Sequence, residues 1–316
     1  MELAYRPPYD WNALLGFLAA RAIPGVEKID GDRYQRTISI DGKVGSFSVQ
    51  HAADGPALLI EIDGGDSRAL PMIVERVRRM FDVDADPAVI AAQLSGDVLL
   101  KGACAAHPGL RTPGAWDPFE LTVRAILGQQ ISVAAATTIA GRVASRWGTP
   151  IDHANGLTHL FPTPPQIVNA PLEEAGIISS RATTLRSVAK AIISGQLVFD
   201  GVSTGQALRS IPGIGDWTAQ YVLMRALNEP NAFPSGDLVL KRMAGGCTAA
   251  VLERRSEAWR PWRAYAVMLL WQAARDQARR DAINTGRAAA VRTKIVACVS
   301  RSSVALVSEK ARSSGS

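Results

Sequence analysis

The chain has little of what would place it in several large functional classes. Its 316 residues include 3 cysteines and 4 histidines. Cys104, Cys247 and Cys298 lie far apart with no CxxC pair, which excludes a disulfide framework, a cysteine zinc site and a four-cysteine iron–sulfur cluster. His51, His107, His153 and His159 show no metal-ligand spacing, so neither a metal nor another cofactor is expected. No apolar run approaches the roughly 20 residues that cross a bilayer, and no membrane partner is expected. The opening MELAYRPPYDW lacks the charged start and apolar centre of a signal peptide, so the expected compartment is the cytosol.

Positive charge is also scarce where it would be most informative. The formal net charge is +6, but from Arg275 onward there are nine Lys/Arg and three Asp/Glu, which leaves 26 of each sign before that point. The body is neutral and the tail holds the excess. If the protein binds a polyanion, local geometry rather than bulk charge must hold it.

What is present divides along the chain. WNALLGFLAARAI has helical spacing, and RYQRTISI, GSFSVQHA and ALLIEID alternate as short strands between Gly and Asp turns. PMIVERVRRMFDV then returns to a helical period. Residues 1–85 are therefore expected to form a small antiparallel sheet with covering helices. From Asp86-Pro87 onward the strand signals stop. Asp117-Pro118-Phe119-Glu120 reads as a capping box opening a helix, and later segments, PLEEAGI among them, continue the helical pattern. Residues 86–278 read as all-helical. Residues 279–316, rich in Ala, Arg and Ser, read as a basic flexible appendage.

The densest chemistry lies in IPGIGDWTAQYVLMRALNEPNAFPSGDLVLKR, residues 211–242. Two helices, spanning 203–228, flank Pro212-Gly213-Ile214-Gly215. Glycines let so tight a turn take positive φ and approach another backbone closely. The first amides of the second helix, with the positive end of its dipole, make a place for one phosphate without reading a base. Such a turn also serves as a plain helix connection. Trp217 and Tyr221 lie four apart on one helix face, a spacing that suits a core as well as a stacking platform. Asp237, after Pro234-Ser235-Gly236, fits a helix cap, and it equally fits an acid placed beside a sugar to stabilise developing positive charge.

The whole of 211–242 resembles the helix–hairpin–helix, Gly/Pro-rich loop and Asp pattern of DNA glycosylases. PPYDWNALLGFLAARAI, RAILGQQISVAAA, LFPTPPQIV, IPGIGDWTAQYVLMRAL and WRPWRAYAVMLLW resemble, in the same order, the DNA-3-methyladenine glycosylase II (AlkA-type) family across about residues 3–275. The resemblance implies an α+β fold: a TATA-binding-protein-like sheet domain followed by an all-α glycosylase core. It implies Asp237 as the catalytic aspartate and Trp217, Tyr221 and Trp271 as base-pocket aromatics. Gly213, Ile214, Gly215 and Thr218 would hold phosphate, with a monovalent cation possible at the hairpin carbonyls, and Gln130 would be the duplex wedge.

The implied activity is removal of alkylated bases from double-stranded DNA by a monomer that uses base flipping. Trp217 stands where glycosylase-lyases carry a nucleophilic lysine, so no Schiff base is expected and water is the nucleophile. Gly236 and Leu238 depart from the acid and aromatic that flank this position in the best-known bacterial relative. The reading from another class is a noncatalytic helix–hairpin–helix DNA-binding module.

Overall fold

The computed structural model describes residues 1–64, 67–152, 156–201 and 203–285. The expected tail therefore lies, from residue 286 onward, outside the described residues.

Strands β1 (Glu2–Ala4), β2 (Glu27–Asp30), β3 (Arg33–Ile40), β4 (Lys43–His51) and β5 (Ala57–Gly64) form one antiparallel sheet in the order β1-β5-β4-β3-β2. Alternation on β3 sends Tyr34, Arg36, Ile38 and Ile40 inward, with Tyr34 opposite Val49 and Arg36 opposite Phe47 on β4. Helix α1 (Trp11–Ala19) and helix α2 (Leu70–Met80) complete this layer. Trp11 stacks on Phe81 at 5.8 Å, and Phe81 meets Tyr34 edge-on at 5.7 Å. This aromatic cluster is the core of the sheet half.

The rest is helical, as expected: α3 (Pro87–Leu94), α4 (Lys101–Ala106), α5 (Pro118–Leu127), α6 (Val133–Trp147), α7 (Pro164–Asn169), α8 (Ser179–Ile193), α9 (Thr204–Ser210), α10 (Asp216–Ala226), α11 (Leu238–Met243) and α12 (Ala249–Ser256). A further helix, α13, covers 263–270. PLEEAGI forms only a short 3-10 turn, Leu172–Ala175, stopped by Gly176 at φ +84°. One compact unit runs from Met1 to Leu270; a second begins at Trp271, and its described residues, 271–285, are helical.

The sheet meets the helices through buried charge. Arg36 is 2% exposed and donates to Glu120 Oε2 on α5 at 2.7 Å. Arg124, one turn further along α5, donates to Glu120 Oε1 at 2.9 Å and to Glu27 Oε2 at 2.8 Å. Burial alone would raise the Glu27 carboxyl, but Arg124 and Arg36 outweigh it and hold it below its usual value. The expected capping box is thus half formed. Asp117 accepts from the Glu120 amide at 2.7 Å, while the Glu120 carboxylate turns to the arginines instead of back to the cap. A buried guanidinium is the stronger claim on that carboxylate.

Candidate active site and DNA-contact hairpin

The hairpin joins α9 to α10, and its two glycines are there for different reasons. Gly213 has φ +91°, and a Cβ on it would stand 2.1 Å from Thr184 Oγ1 on α8. It must be glycine for the protein's own packing. Gly215 has φ −89° and ψ 177°, ordinary extended backbone, and a Cβ there would meet nothing within 4 Å. The positive φ expected of the hairpin glycines therefore applies to Gly213 alone. Gly215 faces open space.

As the N-cap of α10, Gly215 brings no side-chain cap, so the first-turn amides of Asp216, Trp217 and Thr218 have no intrahelical partner. Ile214 and Thr218 face inward. Ile214 is 6% exposed and its amide donates to Ile211 O at 3.1 Å. Thr218 is 2% exposed, and its hydroxyl accepts from Gln129 Nε2 at 3.1 Å. The Gln129 amide also donates to Gly213 O at 3.0 Å, and Thr184 Oγ1 donates to Pro212 O at 3.0 Å. These bonds fix the hairpin to α8 and to the turn after α5. The carbonyls of Ile211, Pro212 and Gly213 are already engaged within the protein. Asp216 is bound by Arg209 across the hairpin at 2.9 Å, which offsets its charge at the start of α10.

Gln130 follows in that same turn. It is exposed and holds φ +58°, in the left-handed region, where a non-glycine residue costs about 1 kcal/mol or more. Gln129 Nε2 reaches the hairpin from the neighbouring position, so the turn that presents Gln130 and the turn that presents Gly215 are bonded together.

Asp237 caps α11. Its Oδ1 accepts from the amides of Val239 and Leu240 at 2.9 and 3.0 Å. Its Oδ2 accepts from Trp217 Nε1 at 3.0 Å, so both oxygens are positioned by N–H donors. The loop before it is anchored by Phe233, which is buried against Trp259 and donates its amide to Gln220 Oε1 at 3.0 Å. Leu238, next to the acid, is 77% exposed.

The Trp217 ring lies parallel to that of Tyr221, with centroids 5.2 Å apart and planes 9° apart. Tyr221 Oη in turn accepts from Arg225 Nη1 at 2.9 Å. Burial alone would raise the Tyr221 phenol, but the charges of Arg225, Arg21 and Arg124 bring it below its usual value. Asp237, Trp217 and Tyr221 are thus brought together with the hairpin. Trp271 belongs to the second unit and is described only as part of its helix.

Three functional details escaped the sequence reading. Trp217 stacks on Tyr221 and also donates a hydrogen bond to Asp237. Gln129 holds the hairpin. Arg225 lies four residues beyond Tyr221 on the same helix face, a signal that was available.

Residues 1–117 match the family described as "AlkA N-terminal domain", and residues 123–258 match "HhH-GPD superfamily base excision DNA repair protein". "DNA-3-methyladenine glycosylase 2" of Escherichia coli is 34% identical over 276 residues, 85% of this chain and 95% of that protein. A "Probable bifunctional transcriptional activator/DNA repair enzyme AlkA" of Mycobacterium tuberculosis is 36% identical over 86% of this chain. The match takes in 56% of the Mycobacterium protein, so this chain spans little more than half the length of that relative. A 3-methyladenine DNA-glycosylase from Archaeoglobus fulgidus has the same fold, with TM-score 0.77 at 22% identity over 87% of this chain and 98% of that one. The identity to the Escherichia coli protein, sustained over nearly its whole length, decides the matter: this chain belongs to the DNA-3-methyladenine glycosylase 2 (AlkA) family.

Proposed function

We propose that the protein is a monofunctional DNA glycosylase that flips alkylated bases, chiefly 3-methyladenine and 7-methylguanine, out of double-stranded DNA and hydrolyses their N-glycosidic bonds. It works as a cytosolic monomer without a cofactor. The observation that carries this reading is the Asp237 carboxylate, fixed on one oxygen by two helix-start amides and on the other by Trp217.

DNA phosphate sits on the first-turn amides of α10, reached over the bare Gly215. Gln130 fills the gap left in the duplex. The flipped base rests against Trp217 and Tyr221. Asp237 faces the sugar, stabilises the cationic C1′ as the bond to the base breaks, and orients the attacking water. N3 or N7 alkylation already makes the base a cationic leaving group, so no strong acid is needed. The electron-rich rings favour that cation by about 0.5–2 kcal/mol. Trp217 offers no amine, so the product is an intact strand with an abasic site.

The test compares the wild type with Asp237→Asn on alkylated duplex DNA and measures released base. Asn keeps the helix cap, so the expected result is a loss of about 10³-fold or more in the single-turnover rate with DNA binding retained. Unchanged excision would remove Asp237 from the mechanism. A wild type that binds DNA and releases nothing would make this a DNA-binding module. Strand nicking without alkali would contradict the monofunctional assignment.

A further inference from the structure

Most cations around the hairpin and Asp237 are already committed within the protein. Arg209 pairs with Asp216, and Arg181 donates to Gln129 O in the turn that carries Gln130. Arg225 donates to Tyr221 and to two buried carbonyls. Lys241 and Arg242, in the last turn of α11, are different. Among the described residues their side chains make no ion pair and no hydrogen bond.

The helix sets the direction of each. Its buried residue is Leu240. At about 100° per residue, Leu238 and Arg242 both point away from Leu240 and lie four apart, one above the other. Leu238 is 77% exposed and Arg242 is exposed, whereas Lys241 is half-buried at the side. Long side chains on a helix lean toward its N-terminus, so Arg242 leans toward the end that carries Asp237. Met243, Ala244, Gly245 and Gly246 follow it without a charge. A Cβ on either of those glycines would meet nothing within 4 Å, so this side of α11 opens on solvent.

Resting on the glycosylase reading above, we propose that Arg242 binds the backbone phosphate beside the flipped nucleotide, as a second anchor on the strand whose sugar faces Asp237. Five residues separate Asp237 from Arg242, about 7.5 Å along the helix axis. That is about two nucleotide rises of one strand. A guanidinium presents a planar fork of donors that fits phosphate oxygens. It also offsets the repulsion between the Asp237 carboxylate and a polyanion brought up to it. The first-turn amides of α10 offer only partial charges. Arg242 offers a full one that no acid among the described residues has taken. A cation in the last turn also suits the helix dipole, but that role alone would leave DNA affinity and its salt dependence untouched.

The test measures affinity by fluorescence anisotropy over a series of KCl concentrations. Two duplexes are used, one carrying a tetrahydrofuran abasic analogue and one undamaged. The wild type is compared with Arg242→Gln, with Arg242→Lys, and with Lys101→Gln, which makes the same change in net charge at an exposed position on α4. Thermal melting checks the fold, and Arg242→Met carries the same comparison if the glutamine variant melts early. Arg242→Gln is expected to weaken binding to the abasic duplex about tenfold at about 0.1 M salt. It should also reduce the slope of log K against log salt by about 0.9, the signature of one phosphate contact. The loss on the undamaged duplex should be about threefold, Arg242→Lys should keep most of the slope, and Lys101→Gln should change neither duplex. An unchanged slope, equal losses on the two duplexes, or an equal loss from Lys101→Gln would overturn the proposal. A wild type that binds the abasic duplex but releases no 7-methylguanine from an alkylated one would instead overturn the glycosylase reading on which it rests, whatever the slope.

Discussion

The two ends of α10 face opposite problems. Its first turn is open: Gly215 and Asp216 are exposed, no side chain caps the amides, and space surrounds the glycine. Its last turn is sealed: Arg225 is 3% exposed and its guanidinium donates to the carbonyls of Pro113 and Gly114 and to Tyr221. At the first end the amides open on solvent, and at the second every donor described has a partner inside. Trp217 and Tyr221 lie between the two ends, and Trp217 donates to the Asp237 carboxylate. Substitutions at the sealed end should therefore cost folding, and those at the open end should cost DNA.

The sharpest way to break this contrast is Arg225→Met. It leaves the carbonyls of Pro113 and Gly114 and the Tyr221 hydroxyl without their donor. A loss of about 3 kcal/mol in urea unfolding is expected. Next comes the pair of glycines. Gly213→Ala puts a methyl against Thr184 at a left-handed φ and should cost about 2 kcal/mol of stability. Gly215→Ala meets nothing in the protein, so its melting should stay within about 0.5 kcal/mol of wild type while affinity for duplex DNA falls about tenfold. If Gly215→Ala binds DNA as tightly as wild type, the open end is not a phosphate cradle. The smallest effect is expected from Gln129→Ala, which removes two hydrogen bonds between the turn that carries Gln130 and the hairpin. About fivefold weaker base flipping, read from a fluorescent base analogue beside the lesion, is the expected outcome at nearly unchanged stability.

Much of this was legible in the sequence because it is carried by local signals. Strand alternation in RYQRTISI marked the sheet, and Pro and Gly punctuation marked the hairpin and the loop before Asp237. What was not legible depends on partners distant in the chain. Nothing in DPFE says that Glu120 will abandon its capping role for Arg36, a residue 84 positions earlier. Nor does a Trp-x-x-x-Tyr spacing reveal that the indole N–H points at a carboxylate 20 residues on. Periodicity names a face of a helix, and only the tertiary fold says what that face meets. Within the hairpin the same limit showed: glycine at 213 and glycine at 215 look alike in sequence, and only one is forced by packing.

The double use proposed for Asp237, as helix cap and as the catalytic carboxylate, has a consequence for cells that carry a changed copy. Asparagine caps a helix about as well as aspartate, so Asp237→Asn would yield a folded protein that keeps the α11 cap and the hairpin and loses the bond from the Trp217 indole. In the proposed role such a protein would still settle on damaged DNA, and it would stay there without cutting the bond. An absent enzyme leaves a lesion open to other repair routes. A capped but inert one would sit over the lesion and shield it, and so be more harmful than no enzyme at all.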